Sequence, residues 1–164
     1  MEKNLEWRCV NTVFSTKLDI NKIKLDSNVK KCFRPVMNIQ KTSHGTILIF
    51  ENGKTRILGC SNEKSAFLAV KYIYDDSFTL IPVTKTISGN IKSNLNFNKF
   101  LIRNKLPYDF ELFPNSSFDK YFNGCKVTFC IFHSFKFQLM GKSLFNENIL
   151  FLALSELYKM CNDL

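Results

Sequence analysis

The stretch Thr46-Ile47-Leu48-Ile49-Phe50-Glu51-Asn52-Gly53-Lys54-Thr55-Arg56-Ile57-Leu58-Gly59 decides how the rest of the chain is read. Two runs of β-branched and large apolar residues flank Asn52-Gly53, the dipeptide that best accepts the positive φ angles of a type I′ turn. The segment therefore reads as a β-hairpin. It has an echo in Ile131-Phe132-His133-Ser134-Phe135-Lys136-Phe137-Gln138-Leu139-Met140-Gly141. Ile49, Phe50, Lys54 and Gly59 recur there as Ile131, Phe132, Lys136 and Gly141, at one constant offset of about half the chain. A fixed offset of that size indicates two copies of one unit.

Working outward, each hairpin sits in the same order of elements. Before the first, Cys9 to Lys17 has strand character through Val10, Thr12, Val13 and Phe14. Leu18 to Leu25 predicts a short helix, with Asp19 or Asn21 near its cap and Ile20, Ile23 and Leu25 on its apolar side. A strand over Phe33 to Gln40 follows, with Pro35 suiting an edge or a strand start. After the hairpin, Ser61-Asn62-Glu63 caps a helix to about Tyr74, with Ala66, Phe67, Val70, Ile73 and Tyr74 along one stripe.

The second half repeats this. Phe78 to Ile87 reads as a strand carrying Pro82, and Gly89-Asn90 as a break. Leu95 to Asn104 reads as a helix with Leu95, Phe97, Phe100 and Leu101 inward. A loop from Pro107 to Asn115 leads to strands at about 117–122, 125–133 and 135–140. The last helix starts at an Asn146 cap and runs to about Met160, with Ile149, Leu152, Ala153, Leu157 and Met160 inward.

The fold class expected is α+β: two βαβ(n)α repeats, residues 1–77 and 78–164, fused into one curved antiparallel sheet with helices on one face. The other face then stays open. Alternation places Leu48, Phe50, Arg56 and Leu58 on it in the first copy, and Cys130, Phe132, Gln138 and Met140 in the second. A wide, mostly apolar open face with basic edges is a binding surface.

Bulk composition narrows the partner. The 164 residues carry a formal net charge of +9 and 45% hydrophobic residues, enough for a real core. Such a charge favours a polyanion, because clustered Lys and Arg displace counterions from a phosphate backbone. No 18-residue apolar run, basic amphipathic helix or signal peptide points to a membrane or to secretion. Cysteines 9, 32, 60, 125, 130 and 161 form no CxxC and no ligand-like pattern with His44 and His133, so no metal and no cofactor is expected. Neither histidine lies near a recognisable nucleophile, and no Gly-rich phosphate loop or carboxylate pair appears, which argues against an enzyme.

At this point the sequence resembles the TATA-box-binding protein core domain over about residues 7–161. In the first copy the resemblance is carried by Val10-Asn11-Thr12-Val13, Lys17-Leu18-Asp19-Ile20, Thr46 through Lys54, and Gly59-Cys60. In the second it is carried by Tyr108-Asp109-Phe110-Glu111-Leu112-Phe113-Pro114 and Ile131-Phe132. The resemblance implies a pseudo-twofold saddle with helices on its convex face and AT-rich double-stranded DNA in its concave one. Wedging of Phe side chains into base steps, which kinks the duplex, is that family's own known behaviour and is implied, not read from these residues. The wedge positions fall on Phe33, Phe50, Phe113 and Phe132, all Phe.

Residue by residue, the resemblance puts Arg8, Val10, Thr12, Leu48, Arg56, Leu58, Leu80, Pro82, Thr84, Pro114, Cys130, Gln138 and Met140 on the minor-groove face. Phosphate contacts fall to Lys54 and Lys136, with Arg34, Lys41, Lys120 and Lys126 beside them. Phe110, Glu111 and Leu112 match the surface that docks transcription factor IIB, although Phe110 replaces the usual Pro. Other departures concern base reading. Arg8 and Leu80 stand at the two usual Asn positions, Pro82 replaces a Val, and Leu58 and Met140 replace Thr. Arg56 and Gln138 replace small apolar residues. The second hairpin has Ser134-Phe135 in place of Asn52-Gly53. A Phe at positive φ is costly, so that turn is expected to differ or to be longer.

The expectation is a transcription initiation factor that binds and bends promoter DNA and recruits initiation factors and the polymerase machinery. Its place would be the nucleus, or a cytoplasmic factory if the source is viral. The competing reading is a module of the same fold that binds protein or other nucleic acid without wedging.

Overall fold

The computed structural model describes residues 5–26, 29–31, 36–92, 96–109, 111 and 115–162, with the main chain alone at 29–31, 36–37 and 162. The chain divides into two compact units, Val10–Val83 and a second made of Met1–Cys9 with Thr84–Leu164. Strand β1 (Leu5–Lys17) thus gives its first residues to one unit and its remainder to the other.

The Val10–Val83 unit continues from β1 through a single 3-10 turn, Ile20–Lys22, into β2 (Val29–Lys31), β3 (Val36–Thr42), β4 (Gly45–Phe50), β5 (Lys54–Cys60) and α1 (Glu63–Ile73). Its strands lie in the order β2-β3-β4-β5-β1, every pair antiparallel. Period-2 alternation buries Ile47, Ile49, Thr55 and Ile57 on one face. Helix α1 packs there, burying Ala66, Ala69, Val70 and Ile73. It begins where Asn62, in extended conformation, accepts the Ser65 amide at 2.9 Å.

The other unit holds β6 (Ile81–Ile91), α2 (Phe97–Arg103), β7 (Asn115–Phe122), β8 (Cys125–Phe132), β9 (Lys136–Gly141) and α3 (Glu147–Asn162). Its order is β1-β6-β9-β8-β7. Val127, Phe129, Ile131, Phe137 and Leu139 meet Phe100, Leu144, Ala153 and Leu157 in one core. Each of these side chains larger than Ala153 contributes about 1.5–3 kcal/mol by leaving water. Asn146 caps α3 by accepting the amides of Asn148 and Ile149. In the same core, burial pushes the Cys161 thiol up to about 11, so it stays protonated and inert at neutral pH.

The mixed α+β class and the antiparallel pairing agree with the sequence expectation. Several local expectations do not. The division lies after Val83, where a cut after residue 77 was expected, and the first strand was not expected to serve both units. The helix over 18–25 is only one 3-10 turn: Asp19 caps it by accepting the Asn21 amide, but Ile23 is already extended and ends it. Gly89-Asn90 does not break a strand: β6 runs through it to Ile91, and Gly89 faces Phe137 across the ladder. A Cβ at Gly89 would run into the Glu6 carbonyl and lie 2.7 Å from the Phe137 ring, so this glycine permits close strand approach. Phe67 is 44% exposed and Leu152 also faces out, their inward places being taken by Ala69 and Leu154. Leu95, expected to face inward at the start of α2, lies outside the described residues, as does Cys32.

The turns differ as well. Asn52 does not adopt a positive φ. The connection is three residues long, with Gly53 alone at φ 79 and its amide on the Phe50 carbonyl at 2.9 Å. The turn with two consecutive positive φ values is Asn123-Gly124, φ 51 and 77, joining Phe122 to Cys125. The second hairpin repeats the first instead of differing from it. Phe135 takes φ 58 and its amide donates to the Phe132 carbonyl at 2.8 Å.

Candidate nucleic-acid interface

Opposite its helix, the sheet of the Val10–Val83 unit carries Thr46, Leu48, Phe50, Arg56 and Leu58, all half-buried. Leu48 faces Arg56 and Thr46 faces Leu58 across the β4–β5 ladder. Phe50 is the last residue of β4. Its carbonyl is pinned by the Gly53 amide, while the Gly53 carbonyl accepts the Leu18 amide at 2.9 Å. Lys54 and Lys41 are exposed.

Two residues expected on this face lie elsewhere. Thr12 is 2% exposed, and its Oγ1 donates to the Cys60 carbonyl at 2.6 Å, so it serves the strand pair. Leu80 precedes β6 and lines a groove with Glu63, Lys64, Phe67 and Phe78 beside α1. Val10 is exposed, and Pro82 is half-buried in β6.

In the other unit the equivalent face is built from Cys130 opposite Gln138 and Thr128 opposite Met140. Asn115 stands opposite Phe132. On β6, Thr86 and Ser88 continue these rows, and Thr84 is half-buried two residues further back along the strand. Cys130 is nearly covered, with Ser117 Oγ 3.4 Å from its Sγ. Phe132 is half-buried and ends β8, as Phe50 ends β4. The Phe135 carbonyl accepts the Ile91 amide at 2.8 Å, repeating the Gly53–Leu18 bond.

The cations divide. Lys136 is exposed at the start of β9. Lys126 pairs with Asp119 at 2.7 Å, and Thr128 Oγ1 donates to the same carboxylate at 2.6 Å. The hydrogen bond from Lys126, then that from Thr128, holds the Asp119 carboxyl below its ordinary value. Lys120 is a correction: it stands opposite buried Val127 and pairs with Glu156 of α3, on the helix-bearing face. Asp119 itself was missed, since nothing in the local sequence marks an acidic residue as pairing with Lys126 from the neighbouring strand.

Arg8 and Trp7 lie near the start of β1, exposed, Trp7 by 48%. With Lys136 they line an open pocket of about 320 Å³. Phe33, Phe113, Arg34, Pro114, Phe110 and Leu112 lie outside the described residues. Glu111 is exposed, and its amide donates to Asp109 Oδ1. Among the described residues no cluster of His, Cys, Asp and Glu is arranged to hold a metal, and no helix is long and apolar enough to cross a membrane.

No protein-family model matches the sequence, and no curated protein does. Solved structures do. The TBP of Methanococcus jannaschii superposes with a TM-score of 0.71 at 21% identity, covering 97% of this chain and 99% of that one. A chain of the heterotetrameric sarcosine oxidase from Corynebacterium sp. U-96 reaches a TM-score of only 0.29 at 11% identity, over 90% of this chain and 80% of that one, which carries no argument. The chain has the fold of the TATA-box-binding protein.

Proposed function

We propose that this protein binds AT-rich double-stranded DNA in the minor groove, kinks it by Phe insertion and recruits transcription initiation factors. The observation that carries this reading is the coincidence of fold and side chains. On a fold shared with a TBP over 97% of the chain, Phe50 and Phe132 each end a strand on the helix-free face. In both places the carbonyl is pinned by a turn amide. A wedge needs that fixity, because an aromatic ring offsets lost base stacking only if it is held at the step it opens.

AT-rich DNA fits for two reasons. TA steps unstack easily, and a narrow minor groove attracts a cation such as Arg56. With Arg8 in place of one usual Asn and Leu80, in place of the other, turned beside α1, neither Asn is present to read bases and preference at the centre of the site is relaxed. The exposed Glu111 and its neighbours Phe110 and Leu112 would dock a transcription factor IIB-like partner, with the polymerase machinery beyond it. The role is non-catalytic, and its place is the nucleus, or a viral factory if the source is viral.

The test is bending and affinity on end-labelled AT-rich duplexes by fluorescence energy transfer, for wild type and for Phe50→Ala with Phe132→Ala. The double variant should bind more weakly and lose the bend. A wild type that neither bends nor prefers AT-rich DNA sinks the reading.

One observation favours a second reading. Asp119 stands among the side chains that would meet a polyanion. A module of this fold that binds protein instead would leave DNA straight and bind without regard to AT content.

A further inference from the structure

We infer that the pocket between the start of β1 and the hairpin end of β6 and β9 is a dedicated phosphodiester site, in which Arg8 acts with Lys136 to hold a backbone phosphate and does not read a base. This rests on the DNA-binding reading above and assigns Arg8 a role in it.

The argument starts from strand register. Asn90 faces Lys136 and Ser88 faces Gln138, so Ser88 and Asn90 stand on the same side of the ladder as Lys136. Gly89, between them, faces buried Phe137 and lets the β1 backbone at Glu6 come close. That approach brings Arg8 into the pocket that Lys136 also lines. Glu6 lines it too, but its carboxylate is taken by Lys92 at 2.6 Å. The pocket therefore keeps an excess of two positive charges, with the Ser88 and Asn90 side chains as polar neighbours.

Its chemistry suits a phosphate. A guanidinium and an ammonium carried by two residues that line one open pocket suit a singly charged diester, the Arg offering its planar fork and the Lys a point charge. Trp7, half exposed at the rim, gives a ring for the attached sugar or flanking base to lie against. A base-reading Arg would need to reach into a groove floor, whereas Arg8 shares its pocket with a residue at the hairpin edge.

Position in the pocket predicts a signature that sequence reading by Arg8 would not give. Arg8→Ala should weaken binding by the same factor on an AT-rich duplex and on one with a central G·C pair. It should also make the salt dependence shallower by about one unit, roughly a three- to fourfold smaller change in Kd between 50 and 200 mM salt. Arg8→Lys should retain the slope. Trp7 is the sole tryptophan, so its emission reports on this pocket directly and should change on titration with the duplex.

An Arg8→Ala variant with unchanged salt slope, or with altered preference between the two duplexes, overturns the assignment. So does Trp7 emission indifferent to bound DNA. In those cases end-labelled duplexes still bent by the wild type would leave the DNA-binding reading standing. A wild type that binds no duplex overturns both.

Discussion

Gly53 and Phe135 occupy the same backbone station in the two copies, at φ 79 and φ 58. Each amide closes its hairpin on the carbonyl of the strand-ending Phe, and each carbonyl takes an amide from an earlier segment of its own unit. Glycine reaches this conformation without a steric penalty, whereas phenylalanine does not. The Phe135 ring offsets the strain by packing edge-on against Phe97 at 5.8 Å and Phe100 at 5.5 Å. Phe135→Ala should therefore keep the strain, lose the packing and destabilise by about 3 kcal/mol. Phe135→Gly should recover about 1 kcal/mol of that. Urea unfolding decides it, and equal losses in the two variants would show that the backbone is not strained.

At Gly53 the same logic runs in reverse. A Cβ there would run into the Leu18 carbonyl, a backbone group that cannot yield without moving its strand. Gly53→Ala should cost about 2 kcal/mol and loosen the end of β4 that holds Phe50. Unfolding midpoints that match the wild type would contradict this.

Thr16 is 4% exposed, and among the described residues its Oγ1 has no hydrogen-bond partner. Thr16→Val keeps the shape and the branched Cβ that a strand favours while removing the orphaned hydroxyl. It should stabilise by about 1 kcal/mol. A destabilised variant would mean the hydroxyl is satisfied in solution.

The cations should separate in salt titrations of DNA binding. Lys54→Ala should flatten the salt slope by about one unit, whereas Lys120→Ala should leave it unchanged, since Lys120 is held by Glu156 beside α3. Asp119→Asn should tighten binding by freeing Lys126. Equal slopes for the Lys54 and Lys120 variants would remove the distinction drawn between the two faces.

Acid should act through Asp75 and Asp119. The hydrogen bond from Lys24 holds the Asp75 carboxyl below its ordinary value, as Lys126 does for Asp119. A carboxyl depressed in the folded state adds stability above its unfolded value, near 3.8, and that stability is lost as pH falls through the folded value. Melting curves should thus be insensitive to these groups from pH 5 to 7 and decline below about pH 4. Asp75→Asn should remove part of that decline. Both carboxylates are solvent-exposed, so the effect should shrink in high salt.

Much of the fold was legible in the chain because it depends on local periodicity. Alternation at Ile47, Ile49 and Ile57, the Asn62 and Asn146 caps, and the repetition of Ile-Phe before each hairpin survive unchanged. Misreadings fell where a distant segment overrode a local signal. Asn52-Gly53 is a strong turn dipeptide, shared with Asn123-Gly124, yet only the second pair takes two positive φ values, and the Gly53 carbonyl instead accepts the Leu18 amide. Gly89 looks like a strand breaker until the Glu6 carbonyl and the Phe137 ring occupy the space above it.

The candidate interface divides in the same way. Sequence alone determined that there are two copies, that one sheet face alternates out of each core, and that Phe50 and Phe132 hold matched positions on it. These follow from a period of two and a constant offset, which need no knowledge of folding. Only the tertiary structure decided that Thr12 turns to Cys60, that Leu80 lies beside α1, that Lys120 belongs to Glu156, and that Arg8 shares a pocket with Lys136. A side chain's partner is set by strand register and by what packs against it from far along the chain, and neither is written in its neighbours.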